Sequence, residues 1–129
     1  MKDFKTAIKM KGELEDVWAA FTNPFAIELW SGYPAKFEAK ENSEFELWEG
    51  DICGRNLKVI DQEELVQEWY FGEQEEASIA TIKMFQQKKI VRVIVTHTNI
   101  PDEAFEEITE GWEEYYLKSI KKLVETEDN

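Results

Sequence analysis

The sequence predicts an α+β domain: a curved antiparallel sheet of about seven strands that packs against a long C-terminal helix, with two short helices after the first strand. Three observations lead to this prediction. Residues 101–125 carry apolar side chains at the spacing of an amphipathic helix, and residues 35–98 show strand-like segments separated by turn signals. After the first predicted strand, the apolar spacing briefly becomes helical. Because a helix that is apolar on one face must cover it, the sheet is the expected partner surface.

Length and composition favour a single folded domain. The 129 residues are the size of one domain, and the five Trp and eight Phe provide apolar volume for a core or for a core that encloses a pocket. We therefore predict one domain over residues 1–129, in which residues 126–129 are a frayed tail.

Charge and hydropathy restrict the partners and the location. The formal net charge of −13 disfavours nucleic acid and anionic lipid, since phosphate binding depends on clustered Lys and Arg. Neutral or basic partners are expected instead. The chain shows no secretion signal, no stretch near the roughly 20 apolar residues that span a bilayer, and one cysteine, Cys53, which permits no internal disulfide. These features predict a cytoplasmic protein with no membrane span.

The N-terminal part of the chain predicts one strand and two short helices. Apolar and polar residues alternate over residues 4–10, as in a half-buried strand. From Glu13 the apolar spacing is that of an amphipathic helix, with acidic residues in the first turn, where the helix dipole favours negative charge. Asn23 and Pro24 end this helix and predict a second one, because Asn is a good N-cap and Pro is tolerated at the first helical position.

Six further strands and no helix are predicted between residues 35 and 98. They are expected around Phe37 and over residues 45–47, 57–59, 65–71, 78–86 and 90–98, with Gln87-Lys88 as a tight link between the last two. In the last strand Val91, Val93, Val95 and His97 share a face. In a one-sided sheet this valine face is the buried one.

Gly111 lies inside the long C-terminal helix, where a glycine costs about 1 kcal/mol relative to alanine. It therefore indicates either a close approach of the sheet or a small bend that makes room for Trp112. Glutamates in the first half of this helix and lysines in the second half complement the helix dipole. That arrangement is typical of a solvated face.

Four segments occur in the order found in a known family; they are residues 45–54, 65–69, 78–82 and 100–120. The last segment carries a Gly-Trp step and a Tyr-Tyr step. In these segments the sequence resembles the family of activator of heat shock protein 90 ATPase homologues, within the START-related (SRPBCC) superfamily, and is most similar to the C-terminal domain of the eukaryotic co-chaperone. The resemblance implies a helix-grip fold like that of START and Bet v proteins, with an elongated apolar cavity between sheet and helix in many members.

Motifs for metal and nucleotide chemistry are absent from the sequence. One His and one Cys fall short of the three or four nearby ligands that zinc needs, and neither a glycine-rich phosphate loop nor a Gly-x-Ser-x-Gly elbow occurs. No catalytic residue, metal or cofactor is therefore predicted, although sites made of carboxylates alone stay open.

The candidate ligand cavity lies between the predicted sheet and the C-terminal helix. Its candidate contacts are Trp69, Val93, His97, Trp112, Tyr115 and Tyr116. His97 would serve either as a general acid or base for a bound ligand or as a hydrogen-bonded residue that packs the end of its strand. The two tyrosine hydroxyls would reach either a ligand or a backbone or water partner.

Three further residues are candidates for a polar anchor and a cover of this cavity. If its strand is regular, Arg55 shares the side of Leu57 and would offer its guanidinium to a carboxylate ligand, whereas a bulge at Gly54 would turn it to solvent. Trp30 and Tyr33 flank a Ser-Gly pair and are the candidate cover over the cavity mouth.

Three functions are consistent with these features. The first is a non-enzymatic domain that binds a small, mostly apolar molecule. The second, implied by the resemblance, is a co-chaperone-like domain that binds and modulates an ATPase of the heat shock protein 90 type. The third is a cyclase-like or hydrolase-like enzyme with His97 as the base, since some START-related relatives are enzymes of this kind. Similarity of fold alone does not decide among them.

Overall fold

The computed structural model describes residues 1–72 and 76–127 and confirms the predicted α+β class. Within those residues the strands are β1 (Lys2–Lys11), β2 (Glu44–Leu47), β3 (Ile52–Ile60), β4 (Glu64–Trp69), β5 (Ser78–Gln87) and β6 (Ile90–Ile100). The helices are α1 (Leu14–Thr22), α2 (Pro24–Ser31), α3 (Phe105–Glu110) and α4 (Lys118–Glu127). Of the predicted frayed tail, residues 126–127 belong to α4 and residues 128–129 lie outside the described residues.

The six strands form one antiparallel sheet in the order β1-β6-β5-β4-β3-β2. Strands β2 to β6 each pair with their neighbour in sequence, while β1 pairs with β6 and so places the first strand beside the last. The valine face predicted for β6 is buried: Val91, Val93 and Val95 have no exposed surface. The helices pack on this buried face of the sheet.

The strand predicted around Phe37, the second of the seven in chain order, is not formed. This segment meets β2 only at one isolated bridge, between Lys36 and Glu46. Beyond that bridge its backbone turns to β3, because the side-chain amide of Asn56 donates to the carbonyl of Glu38 at 2.9 Å. With the Glu38 carbonyl bonded there, the segment forms no ladder with β2 beyond the bridge, although Phe37 still packs its ring in the core.

The helix pair after β1 follows the prediction closely. Asn23 ends α1 and caps α2, where its side-chain oxygen accepts hydrogen bonds from the backbone N–H groups of Phe25 and Ala26. The cap satisfies two donors that a helix start leaves without partners, which explains why α2 begins at Pro24. Helix α2 ends at Ser31, and the next residue, Gly32, has the left-handed backbone (φ 85°) common just after helix ends.

The C-terminal helix, residues 105–127, is continuous but changes its hydrogen bonding in the middle. Between α3 and α4 the segment Gly111–Leu117 is π-helical. A methyl group added at Gly111 would meet no atom within 4 Å, so of the two alternatives predicted for this glycine the close approach of the sheet is excluded. Gly111 instead marks the point where the helix widens from α to π, and Trp112 and Tyr116 point into the core from this wider turn.

Helix α4 packs against β1, α1 and α2, which closes the domain over the buried face of the sheet. Ile120 and Val124 bury its apolar side. Across residues 1–72 and 76–127, we find no helix with the length and apolar character required to cross a lipid bilayer.

Candidate functional site

A column of aromatic rings fills the centre of the interface between the sheet and the C-terminal helix. We call Trp69, Trp112, Tyr116 and Trp30 the aromatic column. Trp69 stacks on Trp112 with ring centroids 5.0 Å apart, Trp112 stacks on Tyr116 at 4.6 Å, and Tyr116 meets Trp30 at 4.9 Å. Stacked and tilted rings at these separations add specific attraction to the burial of their area. The middle of the region where the resemblance implies an elongated cavity is therefore occupied by side chains.

His97 is buried at one end of this column with both ring nitrogens bonded. The indole Nε1 of Trp112 donates to Nδ1 at 3.0 Å, so Nδ1 carries no hydrogen in the neutral ring. Nε2 therefore holds the hydrogen and donates to the Ser78 hydroxyl at 2.8 Å, and that hydroxyl donates to the carbonyl of Thr98. This arrangement leaves no nitrogen free to take a proton from a ligand.

The environment of His97 also disfavours its charged form. Burial lowers the pKa of His97 from 6.5 to about 4, because the imidazolium would lose its hydration. In addition, a proton on Nδ1 would oppose the indole donor of Trp112. His97 is neutral at physiological pH and ties β6 to the C-terminal helix.

A second chain of buried polar side chains holds Trp69, another tryptophan of the column. The indole of Trp69 donates to the side-chain carbonyl of Gln67 at 3.0 Å, and the Gln67 amide donates to Asn56 at 3.1 Å. Gln67 and Asn56 are fully buried. The alternation in β4, which places Leu65, Gln67 and Trp69 on one face, was the available sequence signal for this buried chain.

A cleft of about 650 Å³ opens beside the aromatic column, between the short 3₁₀ turn Trp48–Gly50 and the C-terminal helix. We call it the side cleft. Its lining residues are Trp48, Asp51, Ile52, Trp69, Glu107, Ile108, Glu110, Gly111, Trp112, Tyr115 and Tyr116. The volume lies within the range of about 300–1,000 Å³ that is usual for small-molecule sites.

Four of the six predicted cavity residues reach the side cleft: Trp69, Trp112, Tyr115 and Tyr116. Val93 and His97 do not line it and are fully buried in the core. The sequence placed Tyr115 across from the sheet, but its side chain is 61% exposed and forms part of the outer wall. The π-helical turn places the buried Tyr116 next to the exposed Tyr115, and helical spacing alone did not separate the two.

Tyr116 has an unusual hydroxyl. The side chain is fully buried among the rings of Phe21, Trp30, Trp48 and Trp112, and its hydroxyl is the one buried side-chain polar atom of the described residues without a hydrogen-bond partner. Burial raises the pKa of this hydroxyl above its usual value of 10, so it stays protonated. An unmade hydrogen bond of this kind costs about 1–3 kcal/mol.

The turn that carries Trp48 was not recognised from the sequence as part of the site. Trp48, Glu49 and Gly50 have positive φ angles of 50°, 56° and 97° in succession. Such conformations cost about 1–3 kcal/mol for a non-glycine residue and are found at binding sites more often than elsewhere. The only available signal was Gly50 near the end of a predicted strand, which indicates a turn but not its relation to the helix.

Arg55, the predicted polar anchor, lies on the exposed side of β3. The strand register shifts between Asn56 and Lys58, so the bulge is at Leu57 rather than at Gly54. The alternation read from Leu57 therefore does not extend back to Arg55, whose guanidinium pairs with Glu68 at 3.5 Å instead. Arg55 does not line the side cleft and so would not contact a ligand bound there.

Trp30 and Tyr33, the predicted cover, have different environments. The Trp30 indole donates to the carbonyl of Ala20 at 2.8 Å, and its ring contacts Trp48 at 5.3 Å. Trp30 is therefore held in the packing behind the cleft. Tyr33 is exposed and does not line the cleft.

Comparison with known proteins finds a family profile and several curated relatives that match most of the chain. Residues 11–125 match the sequence profile of the family described as "Activator of Hsp90 ATPase homolog 1-like protein". The human protein named activator of 90 kDa heat shock protein ATPase homolog 1 is 24% identical over 110 residues, which cover 84% of this chain. The Dictyostelium discoideum protein named activator of 90 kDa heat shock protein ATPase homolog is 26% identical over 121 residues, or 88% of this chain.

These two matches cover 32% of each relative, so the chain spans about a third of the length of the curated relatives it matches. Among solved structures, a Plasmodium falciparum protein described as an HSP90 activator superposes with a TM-score of 0.88 at 22% identity. That match covers 95% of this chain and 96% of the other. At this identity the superposition establishes the fold.

Proposed function

Since this chain belongs to the family of activator of Hsp90 ATPase homolog 1-like proteins, we propose that it is a co-chaperone-type domain that binds an ATPase of the Hsp90 type. The names of its relatives support the choice of partner, and the observation that carries the proposal is an apolar patch on α2. We define the α2 patch as Phe25 and Leu29. Their side chains are 76% and 69% exposed, although both are large and apolar.

The α2 patch is suited to contact a protein. Phe25 and Leu29 are four residues apart, so they project from the same side of α2, while Ile27 on another side is fully buried in the core. Paired exposed apolar side chains on a rigid helix are typical of the centre of a protein interface.

The net charge of −13 indicates which charge the partner surface should carry. An acidic domain associates faster and more specifically with a partner whose contact surface is ringed by Lys and Arg. We therefore propose that the α2 patch meets an apolar surface of the chaperone with a basic rim.

The test uses the Hsp90-type chaperone from the same organism. The wild-type domain is expected to change the rate of ATP turnover and to co-elute with the chaperone, and the F25S/L29S variant is expected to weaken that association by about tenfold or more. The matched control is F85S, which removes another exposed aromatic ring on the sheet and should bind as the wild type does. A wild-type domain that neither co-elutes nor changes turnover would rule the proposal out.

The side cleft favours a second function, the non-enzymatic binding of a small, mostly apolar molecule. Trp48, Ile52, Ile108 and Trp112 give it apolar walls, and Tyr116 contributes a buried hydroxyl with no partner among the described residues. A panel of aromatic and aliphatic compounds tests this function by thermal unfolding, since a ligand that binds the folded state raises the melting temperature. If no compound raises it, the side cleft is not a small-molecule site.

A further inference from the structure

We infer that the side cleft selects an apolar molecule that carries a positive charge, in particular an aromatic ring joined to an ammonium group. This inference rests on the proposed small-molecule function of the same cleft and names its ligand class. It is carried by three features of the cleft: the aromatic walls, the carboxylates at the rim, and the lining residue Tyr116, whose buried hydroxyl has no partner among the described residues.

The aromatic walls offer π faces to a cation. Trp48 and Tyr115 line the cleft from two sides, the first from the 3₁₀ turn and the second from the C-terminal helix, whereas the ring of Trp112 is stacked between Trp69 and Tyr116. A cation within about 6 Å of such a ring is attracted by the negative charge on the ring face, and tryptophan is the strongest of these partners. The same walls hold the apolar part of a ligand by contact.

Three carboxylates lie at the rim of the cleft. Glu107 and Glu110 are three residues apart on the helix and therefore project on the same side, and Asp51 lies opposite on the turn after Trp48. The lining contains no Lys or Arg, and within the described residues none of the three carboxylates forms an ion pair. The field at the cleft mouth is therefore negative and uncompensated, so it attracts a cation and repels a carboxylate ligand.

The hydroxyl of Tyr116 points to a ligand independently of the charges. Because it lacks a partner in the part of the chain that the structure describes, an N–H group of a bound ammonium would supply the missing hydrogen bond through the hydroxyl oxygen. Carboxylates alone would not indicate a cation site in this protein, since the chain has 28 Asp and Glu residues. Here they coincide with aromatic walls and an unpartnered buried hydroxyl.

The experiment titrates the ¹⁵N-labelled full chain with three matched indole compounds and follows the indole N–H signals of Trp48 and Trp112. Tryptamine carries an ammonium group, tryptophol a neutral hydroxyl and indole-3-propionate a carboxylate. We expect tryptamine to bind about tenfold more tightly than tryptophol. Indole-3-propionate should bind more weakly than both. Added salt should weaken the binding of tryptamine but not that of the other two compounds.

Two charge variants separate the rim from the general acidity of the protein. E107Q/E110Q should lower the affinity for tryptamine about fivefold and leave tryptophol unchanged. E106Q/E113Q is the matched control, since it removes two exposed carboxylates from the same helical run that do not line the cleft. Equal losses in both variants would show that only the overall charge matters and would overturn the inference.

The remaining outcomes distinguish the ligand class from the proposed cleft itself. If tryptophol binds as tightly as tryptamine, the charge preference is wrong and the small-molecule cleft stands. If none of the three compounds shifts the Trp48 and Trp112 signals, both the charge preference and the small-molecule function of the cleft are wrong. If N-acetyl-lysine amide binds as tightly as tryptamine, the cleft receives a lysine of a partner protein, which also overturns the inference.

Discussion

Trp112 and His97 are joined by a hydrogen bond of 3.0 Å from the indole Nε1 to the imidazole Nδ1. This bond connects the C-terminal helix to β6 at the centre of the domain and fixes the tautomer of the histidine, which in turn donates to Ser78. One side chain thus links the helix to two neighbouring strands of the sheet.

The first prediction concerns the stability of the domain against acid. The pKa of His97 is about 4 in the folded protein and 6.5 in the unfolded chain. Between these values only the unfolded chain binds the proton, so the free energy of unfolding falls as the pH is lowered from about 6.5 to 4, by about 3 kcal/mol in total. Urea unfolding at a series of pH values measures this loss.

The H97N variant serves as the control for this titration, because carboxylates titrate in part of the same pH range. The stability of wild type minus that of H97N should decrease toward pH 4. A difference that stays constant with pH would contradict the assignment of the loss to His97.

The second prediction concerns the hydroxyl of Tyr116. Because it is buried without a partner in the described structure, Y116F should leave the free energy of unfolding unchanged or raise it by up to about 2 kcal/mol. Denaturant unfolding gives the value, and Y115F, at an exposed position, should have no effect. A loss of stability in Y116F alone would mean that the hydroxyl has a partner in the unliganded protein.

The third prediction concerns Gly54 in β3. A methyl group there would lie 1.9 Å from the backbone carbonyl oxygen of Glu68, which the ladder between β3 and β4 holds in place. We therefore expect G54A to destabilise the domain by about 2 kcal/mol or more, as overpacking does. The midpoint of urea unfolding tests this, and an unchanged midpoint would show that the strands separate there without cost.

The fourth prediction concerns Gly111 at the start of the π-helical turn. The methyl group of an alanine at this position would meet open space. Alanine is more favourable than glycine inside a helix by about 1 kcal/mol, so G111A should stabilise the domain by about that amount. Thermal unfolding measures the gain. A destabilised G111A would indicate that the wider turn depends on the glycine.

The sequence predicted the elements whose signal is local. The N-cap at Asn23 and the valine face of β6 follow from propensity and alternation, and both are present. The resemblance of four sequence segments, among them the one with the Gly111-Trp112 step, also identified the family correctly.

The features that the sequence did not predict depend on contacts between distant segments of the chain. The absent strand at Phe37 depends on a hydrogen bond from Asn56 to the carbonyl of Glu38, and the position of Arg55 depends on a bulge at Leu57. The side cleft joins a turn at Trp48 to a π-helical segment about sixty residues later, and neither has a periodic signal. Helical spacing placed Tyr115 and Tyr116 opposite the sheet but did not distinguish the exposed Tyr115 from the buried Tyr116.

The pairing of β1 with β6 has a consequence for how the domain is made. During synthesis, β1 emerges first and waits for a partner that lies about eighty residues further along the chain, and closing so long a loop costs about 4 kcal/mol in chain entropy. Until β6 has been synthesised, β1 has no strand to pair with, although β2 to β5 can already pair with one another. The nascent domain therefore depends on late, long-range pairing, which makes folding slow relative to helical proteins of this size.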